Sequence, residues 1–305
     1  MSQLASQLPS LMMVTCSMTG DKPLFAQLAA SIDDHISKPI RHLVVVPSGD
    51  VASFSEFANP WRMIVAQDEF LPWHLIRLPT ALGRLAPVFT RLRRPLYLTS
   101  RFQPVRGWIV QQLLKLEIAR QATESAVMHV DSDVMFYRDL TAVDVFPCGR
   151  PAYFSVPGNY RTDTSIAWTR NAALALGIDA PDAFGTIYVE NCVPWSAAVV
   201  RRMLAHIEAT HGRRFQDVLV GMDTVSEYHM YGMYLDLIEG HGAVAHVQQS
   251  FCNSLWPGDD PEKYLDLLAA RSNSQHFAIA VQSTEAIALD QRRILLEQAR
   301  VRLEQ

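Results

Sequence analysis

The sequence predicts an α/β fold whose central sheet is largely parallel. Its 305 residues are 49% hydrophobic and 19% charged, which suits a globular protein with a sizeable buried core. Short apolar runs rich in branched side chains alternate with helical patterns, as is typical of strands buried on both faces of a parallel sheet. These runs lie at residues 11–16, 43–46, 62–66 and 126–130.

A first helix is predicted over residues 23–36, between the first two strands. Leu24, Leu28 and Ile32 recur there at four-residue spacing, which places them on one helix face. A turn at 47–50 ends the second strand, and polar residues end the third. This strand–helix–strand order favours parallel pairing of the strands.

A second helix is predicted over residues 107–120, directly before the fourth strand. An apolar stripe runs along it from Ile109 to Leu116, while Gln111 and Lys115 lie one turn apart on another face. The chain has only four lysines, so a lysine at this position is conspicuous.

The second half of the chain is less regular. It contains an extended segment at 153–156 and helical patterns at 196–209, 224–238 and 285–303. No repeat, low-complexity segment or flexible linker interrupts the sequence, so we expect one continuous domain over residues 1–305.

Composition and charge argue against several classes of protein. The net charge of -4 is unlike the strong basic excess of nucleic-acid-binding proteins, so we expect no nucleic-acid partner. Four cysteines, at positions 16, 148, 192 and 252, are too scattered for a zinc knuckle or a disulfide scaffold, and indicate reduced thiols in a cytoplasm. Residues 1–10 do not resemble a secretory signal, and no run approaches the ~20 apolar residues of a membrane span.

The most informative segment is Asp131-Ser132-Asp133, which directly follows the apolar run at 126–130. Open α/β sheets bind their ligands at the carboxyl ends of strands. Burying two unneutralised carboxylates there would be costly, so a cation or a proton is expected beside them. Because carboxylate oxygens suit Mg²⁺ or Mn²⁺, the segment predicts a site for one of these cofactors. The alternative is a solvated turn after a strand.

The spacing of the two aspartates divides their expected roles. Alternate residues of a strand lie roughly 6.6 Å apart, whereas Mg²⁺ binds oxygens at about 2.1 Å. Both carboxylates can serve one ion only if the chain bends at Asp133 or a water intervenes. We therefore expect Asp133 to bind the metal directly, and Asp131 to reach it through water or to hold a ribose or sugar hydroxyl.

The Asp-Ser-Asp segment resembles the DxD motif of GT-A glycosyltransferases, which use nucleotide-sugar donors. More narrowly, it resembles a bacterial family of glycosyltransferases when taken with GWIVQQLLKL at 107–116, SEY at 226–228 and YG at 231–232. The resemblance spans roughly residues 11–285. It implies a Rossmann-like, three-layer α/β/α sandwich with a mixed, mostly parallel sheet.

The same resemblance divides the chain by function. It implies a nucleotide-sugar-binding half at about 11–140, an acceptor half at about 141–285 and a C-terminal helix at 285–305. The residues implied to contact the nucleotide sugar are Thr15, Cys16, Ser17, Asp50, Gln111, Lys115, Asp131 and Ser132. Lys115 would supply a cation for the diphosphate. For Lys115 the alternative is a solvated helix face.

A histidine from the C-terminal half completes the metal shell in many GT-A enzymes. The resemblance therefore implies that His276, just before a short apolar run, joins Asp131 and Asp133 as a ligand. We prefer it to His241 and His246. A hydrogen-bonded structural histidine is the alternative.

Glu227 has two opposed interpretations. In Thr224-Val225-Ser226-Glu227 it fits a capping box, where its carboxylate would bind a backbone N–H at the helix start. Alternatively, it faces the acceptor as the base that an inverting transfer needs, or anchors the acceptor, with Asp223 as the second candidate.

Two further patterns bear on partners and on rival functions. Seven arginines and no acidic residue lie from Arg77 to Arg106, which indicates either a solvated face or contact with an anionic membrane surface or a lipid-linked acceptor. The Asp-Ser-Asp strand with Gly258-Asp259-Asp260 also imitates phosphohydrolases of the haloacid dehalogenase type. That fold carries its DxD on the first strand, whereas here three predicted strands precede it. A non-catalytic sugar-binding protein or scaffold of the same fold is the other alternative, and the oligomeric state stays open.

Overall fold

A computed structural model describes most of the chain. The described residues are 9–38, 40–71, 75–78, 96–100, 102–158, 161–180, 185–256, 259, 263–282 and 287–304. Five arginines of the arginine-rich segment lie outside them, namely Arg84, Arg91, Arg93, Arg94 and Arg101.

The strands and helices of the described residues follow the predicted alternation in the first half. The strands are β1 (Leu11–Cys16), β2 (Arg41–Val46), β3 (Arg62–Ala66), β4 (Ile76–Arg77), β5 (Leu96–Leu98), β6 (Pro104–Arg106), β7 (Ala126–His129), β8 (Val134–Phe136), β9 (Ala152–Phe154), β10 (Val193–Ser196), β11 (Ala245–Val247), β12 (Cys252–Leu255) and β13 (Ala278–Val281). The α-helices are α1 (Lys22–His35), α2 (Val51–Phe54), α3 (Gly107–Gln121), α4 (Ala142–Val145), α5 (Asp163–Leu176), α6 (Ala197–His211), α7 (Phe215–Leu219), α8 (Glu227–Tyr234), α9 (Tyr264–Arg271) and α10 (Leu289–Leu303).

The central sheet has the strand order β10–β7–β1–β2–β3. The strands β1, β2, β3 and β7 are parallel, and β10 runs antiparallel to β7 at one edge. The predicted α/β class, with a mixed and mostly parallel central sheet, is confirmed. The antiparallel edge strand β10 was not predicted, because Val193–Ser196 is too short and too irregular to be separated from the helix that follows it.

Helices cover both faces of this sheet, and the side chains of β1 alternate between the two hydrophobic cores that result. Leu11 and Met13 pack with Phe25 of α1 on one face, while Met12 and Val14 pack with α3 and α6 on the other. The layers are therefore α/β/α. A third core lies under α10, where Leu296 packs with residues of β8 and β13.

A second sheet begins where the fourth central strand ends. After a tight turn at 131–134 the chain enters β8, which pairs antiparallel with β13, and β13 pairs parallel with β12. Two smaller sheets combine β9 with β11 and β4 with β5 and β6. The turn therefore lies at the junction of the central sheet and the β8–β13–β12 sheet.

Two predicted helices differ at their ends. The helix predicted from 224 begins at Glu227, because Ser226 is its N-cap, and α8 is followed by a π-helical turn at Leu235–Glu239. The final helix was predicted from 285 and begins at Leu289, while 283–286 lie outside the described residues. Among the residues that the structure describes, no helix is both long and apolar enough to cross a bilayer.

Gly232 allows an aromatic ring to pack directly on the backbone of α8. A Cβ atom at this position would lie 2.1 Å from Cδ1 and 2.5 Å from Cε1 of Tyr188. The ring has little room to move away, because the Tyr188 hydroxyl donates a hydrogen bond of 2.8 Å to Asp236.

Replacing Gly232 with alanine should therefore destabilise the protein by about 3 kcal/mol, as expected when a methyl group is forced into a packed core. Urea denaturation measures this loss. The matched control is Gly242→Ala, since nothing lies within 4 Å of a Cβ at Gly242. Equal stability of the two variants would contradict the packing described for Tyr188.

Candidate functional site

Loops from four parallel strands meet at one edge of the central sheet. Because β1, β2, β3 and β7 run parallel, their carboxyl ends lie together there. The antiparallel strand β10 begins at the same edge, with Val193 opposite His129. Open α/β sheets bind ligands at this edge, and the Asp-Ser-Asp segment lies on it.

The segment forms a tight turn at the end of β7. The N–H of Val130 still bonds to Val14 at 2.9 Å, but the N–H of Val134 turns back to the carbonyl of Asp131 at 3.2 Å. The Ser132 hydroxyl donates to Ser17 at 2.9 Å and ties the turn to the end of β1. The chain therefore turns at the Asp-Ser-Asp segment instead of continuing along β7.

The two aspartates differ in their exposure. The Asp131 side chain is 35% exposed, whereas Asp133 is 5% exposed and its carbonyl accepts the N–H of Val281 at 3.3 Å. Asp131 is therefore the more accessible of the two carboxylates. Asp133 lies deeper, where the turn joins the second sheet.

A buried ion-pair network lies beneath the turn. The Lys115 ammonium group on α3 is 3.4 Å from Oδ1 of Asp131 and 3.1 Å from Oε1 of Glu227 on α8. It also lies 5.2 Å from the centre of the Tyr228 ring. Lys115 is 5% exposed, so the alternative of a solvated helix face is wrong. Because it is covered, the Lys115 ammonium group contacts Asp131 and does not reach the solvent at the edge of the sheet.

The charges of neighbouring groups keep Lys115 protonated. Burial acts against its charge, but Asp131, Tyr228 and Glu227 together raise the pKa of Lys115 well above its ordinary value. His129 on β7 stays neutral, because burial and the nearby Lys115 cation lower its pKa well below the usual range. Lys115 is therefore the cation of this network.

The two helices that carry the motifs meet around this network. The Trp108 indole N–H, at the start of α3, donates to the carbonyl of Val225 at 2.8 Å, just before α8. Ser226 caps α8 by accepting the N–H of His229 at 3.3 Å, so Glu227 is the first helical residue. The proposed capping box is wrong, because Glu227 is one position past the cap and its carboxylate turns inward to Lys115.

The two catalytic candidates differ in exposure, because Glu227 is buried and Asp223 is exposed. The Glu227 side chain is 2% exposed and paired with Lys115, so its carboxylate holds that cation in place. Asp223 lies exposed on the loop before α8. In this arrangement the Glu227 carboxylate faces Lys115, whereas the base that the sequence predicted would have to face the acceptor.

Thr15 lies on the opposite face of the sheet from the network. Its hydroxyl is fully buried and bonds to Nε2 of His42 at 2.9 Å. Nδ1 of His42 accepts the Nε–H of Arg62 at 3.0 Å, so Nε2 carries the proton that it donates to Thr15. Burial and the Arg62 cation lower the pKa of His42 to about 3, which keeps the ring neutral. Thr15 is therefore structural, which corrects the nucleotide contact expected for it.

Other predicted nucleotide contacts do lie at the edge. Cys16 faces the α3 side, where burial raises its pKa to about 12 and keeps it a neutral thiol. Ser17 accepts the Ser132 hydroxyl, and Asp50 accepts the N–H of Thr19 at 2.9 Å, which joins the β1 and β2 loops.

Gln111 lies one helical turn before Lys115, which is about 6 Å along α3. It is partly buried, unlike the covered lysine. Gln111 therefore lies in the first turns of α3, and its contact with the donor stays a prediction.

His276 lies at the wrong end of its strand for the predicted metal site. In β13, Ala280 pairs with Val134 and Ala278 pairs with Phe136. The end of the strand therefore lies at the turn, and its start lies away from it. His276 lies five residues before Val281, which is roughly 16 Å along an extended chain. Its Nδ1 accepts the N–H of Asn273 at 3.3 Å. The structure therefore does not bring His276 together with Asp131 and Asp133, as the predicted triad requires.

Within the described part of the chain, no group of three or more His, Cys, Asp or Glu side chains could hold a metal ion. The turn offers two carboxylates, Asp131 and Asp133. Mg²⁺ is commonly bound by one or two carboxylates, with water and substrate phosphates as the other ligands. The two aspartates therefore suit an ion that arrives together with a diphosphate.

Sequence reasoning missed Glu190, which lies at the same edge. Its carboxylate accepts the N–H of Asn191 at 2.8 Å and the hydroxyl of Ser254 on β12. Burial raises its pKa from 4.5 to about 7, although its hydrogen bonds act in the opposite direction. The only signal was a single carboxylate within the extended, apolar 186–195 segment, and β10 had not been predicted there.

The comparisons with known proteins place the chain in one family. Residues 10–300 match the profile of a family of unknown function (DUF6492), and the chain belongs to that family. A comparison with curated proteins found no match.

Lys115→Met should destabilise the protein by about 3 kcal/mol, because it leaves Glu227 buried without a counter-charge. The double variant Lys115→Met/Glu227→Gln should recover part of that loss. Urea denaturation of all three proteins measures both effects.

The matched control is Lys22→Met, which removes an exposed ion pair with Glu56 and should change stability by no more than about 0.5 kcal/mol. If Lys115→Met lowered the stability as little as this control does, the description of Lys115 and Glu227 as a buried ion pair would be wrong.

Glu190→Gln should gain stability relative to the wild type as the pH rises from 5 to 8. A folded-state pKa of about 7 against an ordinary 4.5 means that folding favours the protonated acid. The wild type therefore loses this contribution as the pH rises through 7. After discounting for partial exposure, the difference should grow by about 2 kcal/mol.

Denaturant titrations at pH 5 and pH 8 test this, with the exposed Glu56→Gln as control. A constant difference between Glu190→Gln and the wild type would rule out the raised pKa.

Proposed function

We propose that this member of the family is a metal-dependent glycosyltransferase that moves a sugar from a nucleotide-sugar donor to a glycan or glycolipid acceptor. The observation that carries the proposal is the Asp131–Asp133 turn at the carboxyl edge of a parallel sheet. Nucleotides bind at such edges, and paired carboxylates suit a divalent ion on a diphosphate. A role in bacterial surface-polysaccharide assembly rests on the motif resemblance alone.

The residues present suit Mg²⁺ or Mn²⁺ in their chemistry, since both candidate donors are carboxylates of one tight turn. Asp133 and Asp131 would hold the ion. When bound, it would neutralise charge on the departing nucleoside diphosphate.

Lys115 and Glu227 are positioning residues in this proposal. The Lys115 ammonium group fixes the Asp131 carboxylate from below, and Glu227 fixes Lys115 on its other side. Ligand-orienting contacts of this kind hold a carboxylate ready for an ion. The buried cation also adds a positive potential under the site, which favours an anionic diphosphate.

The donor would lie across the loops of β1, β2 and β7. Ser132 is hydrogen-bonded to Ser17, and Asp50 accepts an N–H from the loop after β1. These three residues would form the floor of the site. Gln111 would point a free amide at the donor from the first turns of α3. The neutral thiol of Cys16 would form part of the wall of the site.

The acceptor and the cellular location follow from the proposed reaction. A glycan or lipid-linked acceptor would place the protein in the cytoplasm, at the inner face of a membrane where it contacts lipid. The arginine-rich segment from Arg77 to Arg106 would supply that contact. Sedimentation with liposomes, with and without anionic lipid and at low and high salt, tests it.

The rival phosphohydrolase has less support. Asp259 of its second acidic motif pairs with Arg271 at 2.7 Å, and this pair lowers the pKa of Asp259. Gly258 and Asp260 lie outside the described residues. In addition, β1, β2 and β3 precede the Asp-Ser-Asp strand, whereas the haloacid dehalogenase motif belongs to the first strand.

Thermal-shift measurements with UDP, GDP, CDP and dTDP, each with and without Mn²⁺, test the proposal. One diphosphate should stabilise the protein only with metal, by about 2.7 kcal/mol at 100 times its dissociation constant. Asp133→Ala should abolish this metal-dependent part.

His276→Gln is the matched control and should retain the shift, because His276 lies at the far end of β13. If no diphosphate stabilises the wild type, or if Asp133→Ala retains the full shift, the proposed function is wrong.

A further inference from the structure

Glu190 has the exposure that Glu227 lacks. It is partly exposed, whereas the Glu227 side chain is 2% exposed and paired with a lysine. In the described part of the chain no lysine, arginine or histidine forms an ion pair with Glu190. Glu190 therefore combines partial access with the absence of a counter-charge among the described residues.

The strand register places Glu190 at the same edge of the sheet as the aspartates. In the antiparallel β10–β7 pair, Val193 lies opposite His129, so the residues before Val193 run beside the Asp-Ser-Asp turn. The partner of Glu190, Ser254, pairs with Ala280, which in turn pairs with Val134 next to Asp133. Two strand spacings, or about 10 Å, separate Ser254 from Val134, and β13 lies between them. Glu190 therefore contacts the same sheet into which the Asp-Ser-Asp turn leads.

Two hydrogen bonds hold the Glu190 carboxylate. The Asn191 N–H and the Ser254 hydroxyl both donate to its Oε1 atom. The Asn191 amide also donates to Ser254 at 3.3 Å and fixes that hydroxyl. Cys192 follows with φ +59°, a left-handed conformation that is uncommon outside glycine and that directs the chain into β10.

Among the residues that the structure describes, two thiols lie beside Glu190. Cys192 and Cys252 contact each other beside it, and burial raises the pKa of Cys252 well above its ordinary value, so this thiol stays neutral. The charge state of Glu190 therefore depends on burial and on its own hydrogen bonds. Near neutral pH the group can both accept and release a proton.

We propose that Glu190 is the general base of the transfer and takes the proton from the attacking hydroxyl. The inference rests on the proposed glycosyltransferase function. The acceptor oxygen forms a bond to the anomeric carbon while the bond from that carbon to the diphosphate oxygen breaks. The electron pair of the broken bond leaves on the nucleoside diphosphate, and the hydroxyl proton moves to the Glu190 carboxylate. The carboxylic acid then returns the proton to solvent.

The test uses water as the acceptor, so that the natural acceptor is not needed. The full-length protein is given Mn²⁺ and UDP-glucose, UDP-galactose, UDP-N-acetylglucosamine or GDP-mannose, and release of the diphosphate is measured. Glu190→Gln should lower kcat by at least about 100-fold with little change in donor KM. It should also keep the Mn²⁺-dependent thermal shift with the matching diphosphate, which shows an intact fold and donor site.

Ser254→Ala gives a second, independent readout. It keeps the carboxylate but removes a hydrogen bond that favours its charged form, so its pKa should rise. Because the base must be deprotonated, activity should increase with pH through a midpoint near 7 in the wild type. This midpoint should lie at higher pH in Ser254→Ala. The exposed Glu56→Gln should match the wild type in rate and in midpoint.

The outcomes separate this inference from the function beneath it. If Glu190→Gln turns over within a few-fold of the wild type, or Ser254→Ala leaves the midpoint unchanged, Glu190 is not the base and the glycosyltransferase proposal stands. If the wild type binds a diphosphate with metal but releases no diphosphate from the four donors, the assignment of Glu190 as the base is again wrong. A base so placed would activate water. If no diphosphate binds with metal, both proposals fail.

Discussion

The ammonium group of Lys115 is the contact on which the proposed site depends. It joins α3 to the end of β7 through Asp131 and to the start of α8 through Glu227. Such a buried cation is tolerated only with its counter-charges in place, because the desolvation cost of an isolated charge is large. The two helices and the turn must therefore assemble together. This requirement gives a physical reason for the motifs on α3, on the turn and on α8 to occur together in one sequence.

The antiparallel strand β10 gives the edge its second side. Four parallel strands supply the aspartates and the loops of β1 and β2, which suit a nucleotide. Because β10 runs the other way, its beginning lies at this same edge, and Glu190 precedes it by three residues. The edge thus holds a buried network of fixed charges and a second carboxylate with partial access and a pKa near neutrality.

Local patterns predicted much of the fold and part of the site. The strands β1, β2, β3 and β7 are apolar runs, and α1 and α3 have clear periodicity, so their bounds needed no tertiary information. The bend at Asp133 was one of two options that strand geometry left open. The errors concern residues whose roles depend on distant partners. Thr15 and Cys16 are adjacent, yet strand alternation turns one to His42 and the other towards Lys115.

By itself, the sequence determined the α/β class, the parallel order of the early strands and the position of two aspartates at a strand end. These follow from period, chain direction and residue type, which act over a few residues. Only the tertiary structure decided that Glu227 binds Lys115, that His276 lies at the far end of β13 and that Glu190 reaches the edge. Each of these depends on the pairing of strands or helices far apart in the chain, and strand register carries no local signal when the pairing partners are unknown.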